Sequence, residues 1–568
     1  MISKMSIHHI CCLSAILLVL VHTSTGFCPS KCFCEGDYNL RASCLGAGLE
    51  VVPIQLNPDI KYINLTHNQI QNVYFTLTFY YKLQVLDISH NRLDDLGSKN
   101  FESQEKLHTL ILNDNQLIAV KKDAFRGLKE LVELNLSNNR IEEIHHTAFS
   151  DLIKLLRLDL SNNQVLRLDA GVLRNMVALD HLNFRNNQIL DVPYDENLEH
   201  LIQLRQLDLS QNNIENVNNH SFDQMHQLRL LNLSNNVIND CDWTAFDGLS
   251  GLKILDLADN NLTVVPTVQL SKLSNLTNLV LSGNSLTHIP PVAFLNLFQL
   301  RELQLNELPF LVKIDARAFV DNTNLQKLEL ENNRQFSELP LRLFHNNPNL
   351  VDISIRGNNL HTLDAIQFPL DTLQRLMLAD NPLVCNCSLL WLWRLATENE
   401  VAHPSDSVAN GFRSNHNLVV DRDDIACFIE DDNMKVKRSL HKMSENEINC
   451  PAHLITIISS ILTVLLVFIV IVSMLYYMKV AKRRKHVVEE AKNVCNERIV
   501  PQKIDRVELE RYLASQAIAN DYHALRPWEV PIKDAVKYNE ISDPNDHYEH
   551  FEYYDHKRTL HKPHVVYV

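Results

Sequence analysis

Glycine, which phosphate-binding loops require, is scarce in this chain, with 12 copies among 568 residues. The sequence contains no glycine-rich phosphate loop, no Gly-x-Ser-x-Gly nucleophile turn and no His-Glu-x-x-His zinc motif. The pair His145-His146 fits solvated surface better than a catalytic or metal site. The formal net charge of −15 argues against a nucleic-acid partner. We therefore expect a protein that is not an enzyme and that uses no cofactor or metal.

A short pattern of leucines with one asparagine is the main feature that the sequence does contain. Residues Leu131–Ile141 follow L-x-x-L-x-L-x-x-N-x-L, the signature of the leucine-rich repeat. Leu134 and Leu136 are two residues apart, so both point to one face of a short strand, while Asn135 between them points to solvent. Asn139 follows at a turn, where its amide can satisfy backbone groups of its own coil and of a neighbouring coil. One such unit cannot bury its leucines alone, so the pattern predicts further units.

Fourteen copies follow one another, opening between Ile60 and Leu373 at steps of 23 to 25 residues. The repeats predict an α/β leucine-rich repeat solenoid over residues 60–383, a horseshoe with a parallel sheet on its concave side. A second column of side chains is expected to stack on the convex side. It consists of a phenylalanine six residues before the next opening leucine, at Phe101, Phe125, Phe149, Phe222, Phe246, Phe294, Phe319 and Phe344.

Two of the copies depart from the repeat pattern. In the eleventh copy Leu308, followed by Pro309, stands where the turn asparagine belongs, and Gln335 replaces the last apolar residue of the twelfth. We expect these departures to bend the solenoid locally; a loop that re-aims ligand-contacting residues is the alternative. Cys241, the odd cysteine among the repeats, fits a buried and inert side chain better than an intermolecular disulfide.

Two groups of four cysteines flank the repeats. Residues 1–26, with an apolar run from Ile10 to Val21, indicate a secretory signal peptide and therefore an oxidising compartment. Each group then predicts two disulfides in a cap that covers the end leucines of the solenoid, with a zinc site as the weaker alternative. The caps span residues 27–59 and 384–453, and their cysteines are Cys28, Cys32, Cys34 and Cys44, then Cys385, Cys387, Cys427 and Cys450.

These cysteine motifs resemble the caps of extracellular leucine-rich repeat proteins. Cys-Pro-x-x-Cys-x-Cys-x9-Cys at Cys28–Cys44 is similar to their N-terminal cap, and the segment Asn381–Trp393 is similar to their C-terminal cap. The resemblance extends to Toll-like receptor ectodomains, to insect leucine-rich immune proteins and to adhesion receptors of the tartan/capricious type. It implies that the first cysteine pairs with the third and the second with the fourth in each cap. Spacing alone leaves three connectivities open for each.

Seven Asn-x-Ser/Thr sequons predict N-glycosylation of an exported chain. Three of them lie between paired strand leucines and are therefore expected on the concave face. The other four are placed on the turns, the convex side and the C-terminal cap. The sites are Asn64, Asn135 and Asn232 on the concave face, and Asn219, Asn261, Asn275 and Asn386 elsewhere.

Residues 454–478 contain no charge and are long enough, at about 1.5 Å per residue, to cross a bilayer core of about 30 Å. Five cations follow between Lys479 and Lys485, so the positive-inside rule predicts a single-pass type I protein of the plasma membrane. The remaining residues, 479–568, lack core periodicity, and we expect a mostly disordered cytoplasmic tail.

The tail carries short motifs for cytosolic partners, each of which can also arise by chance. Three tyrosine-x-x-apolar motifs could bind clathrin adaptors, or SH2 domains after phosphorylation, and the C-terminus fits a PDZ ligand. The motif residues are Tyr522 with Leu525, Tyr538 with Ile541, Tyr548 with Phe551, and Val566 with Val568.

A basic segment, Lys435-Val436-Lys437-Arg438, resembles a furin-type cleavage site between Cys427 and Cys450. An uncut basic loop is the favoured interpretation. A cut after Arg438 would leave the ectodomain joined to its membrane segment by a disulfide if Cys387 pairs with Cys450.

The sequence thus predicts a cell-surface receptor that binds a protein or microbial ligand in innate immunity or cell recognition. A cell-adhesion or guidance protein, or a non-signalling co-receptor, is the alternative, and a receptor dimer is compatible with either. We expect the ligand on the sequon-free C-terminal part of the concave face, where the strand residues become mixed and partly apolar. Its predicted members are Asp256, Val280, Gln304, Lys327, Glu329, Asp352, Arg375 and Met377.

Overall fold

The computed structural model describes residues 28–36, 38, 40–193, 197–397, 418–431, 434–448 and 452–495. The chain divides into two compact units, Met1–Ile457 and Ile458–Val568. The predicted signal peptide and all of the tail motifs lie outside the described residues.

The repeat leucines form the inner side of a parallel sheet. Each coil contributes a three-residue strand whose middle residue is buried, because alternate side chains of a strand point to opposite faces. Neighbouring strands pair in register, so that Leu110, Leu134 and Leu158 lie side by side. This arrangement confirms the predicted solenoid. The fourteen repeat strands are Tyr62–Asn64, Val85–Asp87, Thr109–Ile111, Glu133–Asn135, Arg157–Asp159, His181–Asn183, Gln206–Asp208, Leu230–Asn232, Ile254–Asp256, Asn278–Val280, Glu302–Gln304, Lys327–Glu329, Asp352–Ser354 and Arg375–Met377.

The turn after each repeat strand except that of the eleventh coil is held by its asparagine, as the sequence predicts. Asn163 is buried, and its Nδ2 donates to the carbonyl oxygens of Leu136 in the preceding coil and Leu160 in its own coil, both at 3.0 Å. Its Oδ1 accepts from the Ile141 N–H at 3.0 Å. The residue before the turn asparagine has a positive φ, 55° at Asn162, a conformation that asparagine, aspartate and glycine tolerate best.

The convex side is built mainly from turns around the predicted phenylalanine column. The rings of Phe101, Phe125 and Phe149 are buried and stacked with centroids 6.1 and 5.7 Å apart. A second stack runs from Phe294 through the later coils to Trp391 of the C-terminal cap. The regular elements here are the strand pairs Ala119–Val120 with Glu143–Ile144, Asn216–Val217 with Asp240–Cys241, and His288–Ile289 with Lys313–Ile314, the α-helix Thr267–Leu270 and the 3-10 turns Thr76–Phe79 and Ala365–Gln367.

The eleventh coil replaces the missing asparagine with other contacts. Leu308 is fully buried, and its N–H donates to Oδ1 of Asn333 in the next coil at 2.7 Å. Asn333 Nδ2 reaches back to the Leu305 carbonyl at 3.0 Å, and Asn306 Oδ1 accepts from the Glu331 N–H at 2.7 Å. The strand of this coil pairs in register with both neighbours. The departure therefore changes the hydrogen bonds of the turn without interrupting the sheet.

Both ends of the solenoid carry disulfide-linked caps. The structure contains Cys28–Cys34, Cys32–Cys44 and Cys385–Cys427, the pairing that the resemblance implied. Cys387 is also disulfide-bonded, and its predicted partner Cys450 lies outside the described residues. The N-terminal cap adds the hairpin Phe33–Glu35 and Arg41–Ser43 to the edge of the sheet, and the C-terminal cap adds Val419–Val420 at the other edge. Its other elements are strands Leu383–Val384, Ala426–Asp431 and Met434–Ser439, 3-10 turns Cys387–Leu389, Leu440–Lys442 and Glu445–Glu447, and helix Leu390–Thr397.

A buried carboxylate completes the C-terminal edge of the sheet. Asp421 accepts hydrogen bonds from the N–H groups of Leu378, at 3.0 and 3.1 Å, and of Ala379, at 2.9 Å. Its side chain is 6% exposed, and Nε of Arg356 lies 3.6 Å away. Asp421 therefore satisfies two N–H groups of the last coil.

We expect Asp421→Ala to lower the free energy of unfolding of the cap by about 2–3 kcal/mol, because it strands two buried N–H groups. Asp421→Asn keeps one acceptor oxygen and should cost less. Thermal unfolding of the two variants beside wild type measures the difference. Equal melting temperatures for all three proteins would contradict this role of Asp421.

The second unit contains most of the helix Ala452–Cys495, whose first residues belong to the first unit. The helix segment Ile457–Arg483 contains 18 residues with a mean hydropathy of 2.9 and is long and apolar enough to cross a membrane. The helix extends past both ends of the predicted span, Leu454–Met478. Length and composition thus favour a membrane-bound protein.

Candidate ligand-binding face

The sheet face of the first nine coils has a structural role that the sequence analysis missed. At the third strand position, Oδ1 of an aspartate or asparagine accepts from the backbone N–H two residues later, for example Asp159 from Ser161 at 2.9 Å. Such a bond fixes the start of the turn. These side chains are therefore part of the fold as well as of the surface. They are Asn64, Asp87, Asn135, Asp159, Asn183, Asp208, Asn232 and Asp256.

Asp256 is the last residue of this series. Its Oδ1 accepts from the Ala258 N–H at 2.9 Å. Burial, with smaller contributions from Asp259 and Asp208, raises the pKa of its carboxyl above the ordinary value. Of the predicted ligand face, Asp256 thus belongs to the turn as much as to the surface.

From the tenth coil onward the same position is filled by residues that do not form this turn bond. Val280, Gln304 and Glu329 are partly buried and lie side by side on adjacent strands. Because the local fold does not require these side chains, their identity is free to serve another purpose. We define the C-terminal sheet face as these three residues together with Lys327, Asp352 and Arg375.

Two ion pairs fix the charges of the C-terminal sheet face. Lys327 Nζ lies 2.6 Å from Glu329 Oε1, and Asn306 Nδ2 donates to Glu329 Oε2 at 3.0 Å. Burial alone would raise the pKa of Glu329, but these two partners hold it below its ordinary value; the bond to Glu329 in turn raises the pKa of Lys327. Arg375 Nη1 lies 3.6 Å from Asp352 Oδ2, yet burial raises the pKa of the Asp352 carboxyl. The face thus presents preorganised charges of both signs on the strands that follow those of Val280 and Gln304.

Met377 does not belong to this face, and its prediction as a ligand-contacting residue is wrong. Its side chain is buried, with 8% exposed. The reason is the C-terminal cap, whose strand Val419–Val420 pairs with Arg375–Met377 and whose Asp421 bonds the two residues after Met377. The sequence predicts a cap at this end of the solenoid, but not that the cap adds a strand beside Arg375–Met377.

Two sequence-predicted positions outside the sheet face are also placed by the structure. Cys241 is free and buried, as predicted, and burial raises the pKa of its thiol to about 12. The basic segment Lys435–Arg438 is part of the strand Met434–Ser439, paired antiparallel with Ala426–Asp431. The interpretation as a loop is therefore wrong. A protease would first have to unpair this hairpin to reach the segment.

The amide groups of the sequons differ in their hydrogen bonds. At Asn64, Asn135 and Asn232 the side-chain oxygen holds the turn, which leaves the Nδ2 edge directed away from that bond. Asn261 Nδ2, by contrast, donates to Asn239 Oδ1. Asn275 Nδ2 donates to the Ser250 carbonyl oxygen at 2.9 Å. Among the described residues no group of three or more histidine, cysteine or acidic side chains could hold a metal ion.

Known proteins share the repeats and the fold. A family model described as "Leucine rich repeat" matches residues 82–141, 129–189, 202–262, 235–286, 250–307 and 274–334. Oligodendrocyte-myelin glycoprotein of Homo sapiens is 33% identical over 87 residues, which are 15% of this chain and 20% of that protein. Leucine-rich repeat-containing protein 3B of Bos taurus is 31% identical over 90 residues, 16% of this chain and 35% of that protein. The chain thus aligns with well under two thirds of either relative.

A solved structure shares the fold over a larger part of the chain. This structure is Toll in the Toll–Spatzle complex, described as a molecular hub in Drosophila development and innate immunity. It superposes on this chain with a TM-score of 0.51 at 21% sequence identity. The match covers 69% of this chain and 58% of that chain. At this identity the likeness concerns the fold alone. The matched repeats support a leucine-rich repeat family, and the in-register coils show its solenoid fold.

Proposed function

We propose that this chain is a single-pass type I receptor of the plasma membrane, which binds a protein or microbial ligand through the C-terminal sheet face. Residues 1–26 would direct export, residues 27–453 would form the capped ectodomain and residues 479–568 the cytoplasmic tail. Toll, which shares the fold and is described in a complex with Spatzle, is a precedent for a solenoid of this kind that binds a protein. Innate immunity is one setting of such a receptor.

The observation that carries the binding site is the change at Val280. Up to Asp256 the central sheet residues hold turns in every coil except that of Ile111, whereas Val280, Gln304 and Glu329, on three successive strands, do not. Half-buried apolar and charged groups held in place by ion pairs are what a protein partner engages, since little side-chain freedom is lost on binding. The predicted glycans at Asn64, Asn135 and Asn232 would cover the other part of the same face.

A double charge reversal tests this face. We expect Glu329→Lys with Asp352→Lys to weaken ligand binding at least tenfold. The face would then carry four positive charges, whereas its ligand is expected to complement charges of both signs. Binding of a secreted, correctly folded ectodomain to cells and to microbial surfaces is the measurement. The matched control is Glu130→Lys with Glu133→Lys, two exposed acids that pair with Lys154 and Arg157 in the N-terminal coils.

A glycan placed on the same face gives an independent test. The single change Val280→Asn makes a sequon with Leu281 and Ser282, in the strand position that Asn135 occupies naturally. The attached glycan should block the ligand without disturbing the fold. Ligand binding that survives both this change and the double reversal would exclude the C-terminal sheet face as the site.

A cell-adhesion or guidance protein, or a co-receptor without its own signalling, is the second candidate. The short motifs from Tyr522 onward favour it, since such motifs recruit adaptors, SH2 or PDZ proteins. Expression of the full chain on suspended cells separates the classes. Cell aggregation supports adhesion, whereas saturable binding of microbial material supports the immune receptor.

A further inference from the structure

A group of exposed apolar side chains lies on the convex side of the first repeat. We name it the aromatic patch and define it as Ile54, Tyr74, Phe75, Phe79 and Tyr81. Phe75 is 78% exposed, Phe79 54% and Ile54 57%. The four aromatic residues surround one 3-10 turn, Thr76–Phe79, and Ile54 comes from the adjoining segment of the N-terminal cap, where the Pro53 carbonyl accepts from the Tyr80 hydroxyl. Exposed apolar surface of this kind usually marks an interaction site.

The backbone at Phe75 argues against a purely local reason for this residue. Phe75 has a φ of 56°, in the left-handed region where a bulky side chain is strained. The corresponding residues of other coils also have a positive φ; Asp123 at 59° and His220 at 63° are polar, and Val292 at 55° is aliphatic, so Phe75 is the apolar aromatic member of this series. A large exposed aromatic ring in this conformation contributes neither to the core nor to the turn. Strained residues of this type tend to occur at functional sites.

The two tyrosines of the patch are anchored in the same way at its two ends. Tyr74 donates its hydroxyl hydrogen to Asp95 at 3.1 Å, and Lys121 Nζ lies 2.8 Å from the same carboxylate oxygen. Tyr81 donates to Asp59 at 3.0 Å, and Lys82 Nζ lies 2.8 Å from that carboxylate. Each end is therefore a tyrosine, a carboxylate and an ammonium group. The phenylalanines lie between these ends in the chain.

We propose that the aromatic patch is a docking surface for a second copy of this chain, related to the first by a two-fold axis through the patch. A two-fold interface places one surface against itself, so it must be self-complementary. The patch meets this condition, because rotation brings apolar rings onto apolar rings and a Tyr–Asp–Lys end of one copy opposite a Tyr–Asp–Lys end of the other. Each end offers one negative and one positive charge to its counterpart.

Two further observations favour a copy of the chain over an unrelated partner. A strongly acidic or strongly basic ligand would not be attracted to the patch, since each end carries one acidic and one basic side chain that form an ion pair. The sequons nearest to the patch, Asn64 and Asn135, lie on the sheet face, so predicted glycans leave it open. The contact would be smaller than a standard interface of about 1,600 Å², and we expect a dissociation constant in the micromolar range. This association does not depend on the ligand site proposed above.

The test compares self-association of the full-length chain with that of two variants, in detergent and over a range up to about 50 μM. The patch variant is Phe75→Asp with Phe79→Asp. Aspartate already occupies the equivalent left-handed position at Asp123, so the fold should be kept. The control is Phe298→Asp, another exposed phenylalanine of the convex side, 49% exposed in a later coil. Light scattering after size-exclusion chromatography gives the mass.

Wild type and the Phe298→Asp control should form dimers, and the patch variant should show at least a tenfold weaker association with an unchanged melting temperature. Monomeric wild type over this range would overturn the proposal. So would a patch variant that dimerises like wild type, or a control that loses dimers to the same extent. Capture of an unrelated protein or of lipid vesicles by a monomeric wild-type chain would likewise exclude the second copy as occupant.

Discussion

Replacing Leu158 with aspartate should prevent the chain from reaching the cell surface. Leu158 is the middle residue of the strand Arg157–Asp159, is 2% exposed and lies in register between Leu134 and Leu182. The change removes a leucine from the core and places a carboxylate there without a partner. We expect a cost of about 5 kcal/mol or more, which is of the order of the whole stability of many folded domains, about 5–15 kcal/mol.

Leu156→Asp is the matched control for this experiment. Leu156 lies two residues away, next to the same strand, but its side chain is 38% exposed. Surface staining of the full-length chain and the sensitivity of its glycans to endoglycosidase H report whether each variant leaves the endoplasmic reticulum. Normal surface levels of Leu158→Asp would refute the inward packing of the repeat leucines.

Removing one turn asparagine should be the next most damaging change. Asn163→Ala deletes an amide that donates to the Leu136, Leu160 and Ser161 carbonyls and accepts from the Ile141 N–H. The alanine side chain offers no substitute, so these buried backbone groups lose their partner and the free energy of unfolding should fall by about 3 kcal/mol. Denaturant unfolding of the purified chain measures the loss.

A second variant at this position separates the hydrogen bonds from the packing. Asn163→Asp keeps the size of the side chain and its acceptor oxygen but directs a negative charge at three carbonyl oxygens. It should therefore be less stable than Asn163→Ala at neutral pH. Gln164→Ala, at the partly exposed next residue, is the control and should unfold like wild type. The opposite order of the two Asn163 variants would show that amide geometry is unimportant here.

The repeats and their core could be predicted from sequence because the signal is redundant. Leu134 and Asn139 belong to columns that recur in nearly every coil, Phe125 belongs to one that recurs in eight coils, and neighbouring coils pack in the same way. An error at one position leaves the period unchanged. The disulfide pairing in the caps followed from resemblance, since spacing alone leaves it open.

The candidate site was less predictable because its residues have two functions. From sequence, Asp159 and Asp256 look like members of a charged binding surface. In the structure, their Oδ1 atoms accept the hydrogen bonds that hold the turns. A signal existed, since a serine follows two residues later at Ser161, as in several other coils, but it resembles ordinary surface polarity. Met377 was misplaced for another reason: what covers it is a cap strand far along the chain, which the period of the repeats does not encode.

The identical register of the repeat strands has a consequence for how this protein can change in evolution. Because each coil presents the same leucine to the coil before and the coil after, one coil of about 24 residues can be duplicated or deleted as a unit. Such an event changes the length of the sheet by about 4.8 Å and leaves both caps against the surfaces they already fit. The coil of Leu308 is the exception, because its contacts with Asn333 and Glu331 tie it to one particular neighbour. Gain and loss of coils should therefore spare the pair that spans Glu302–Glu329.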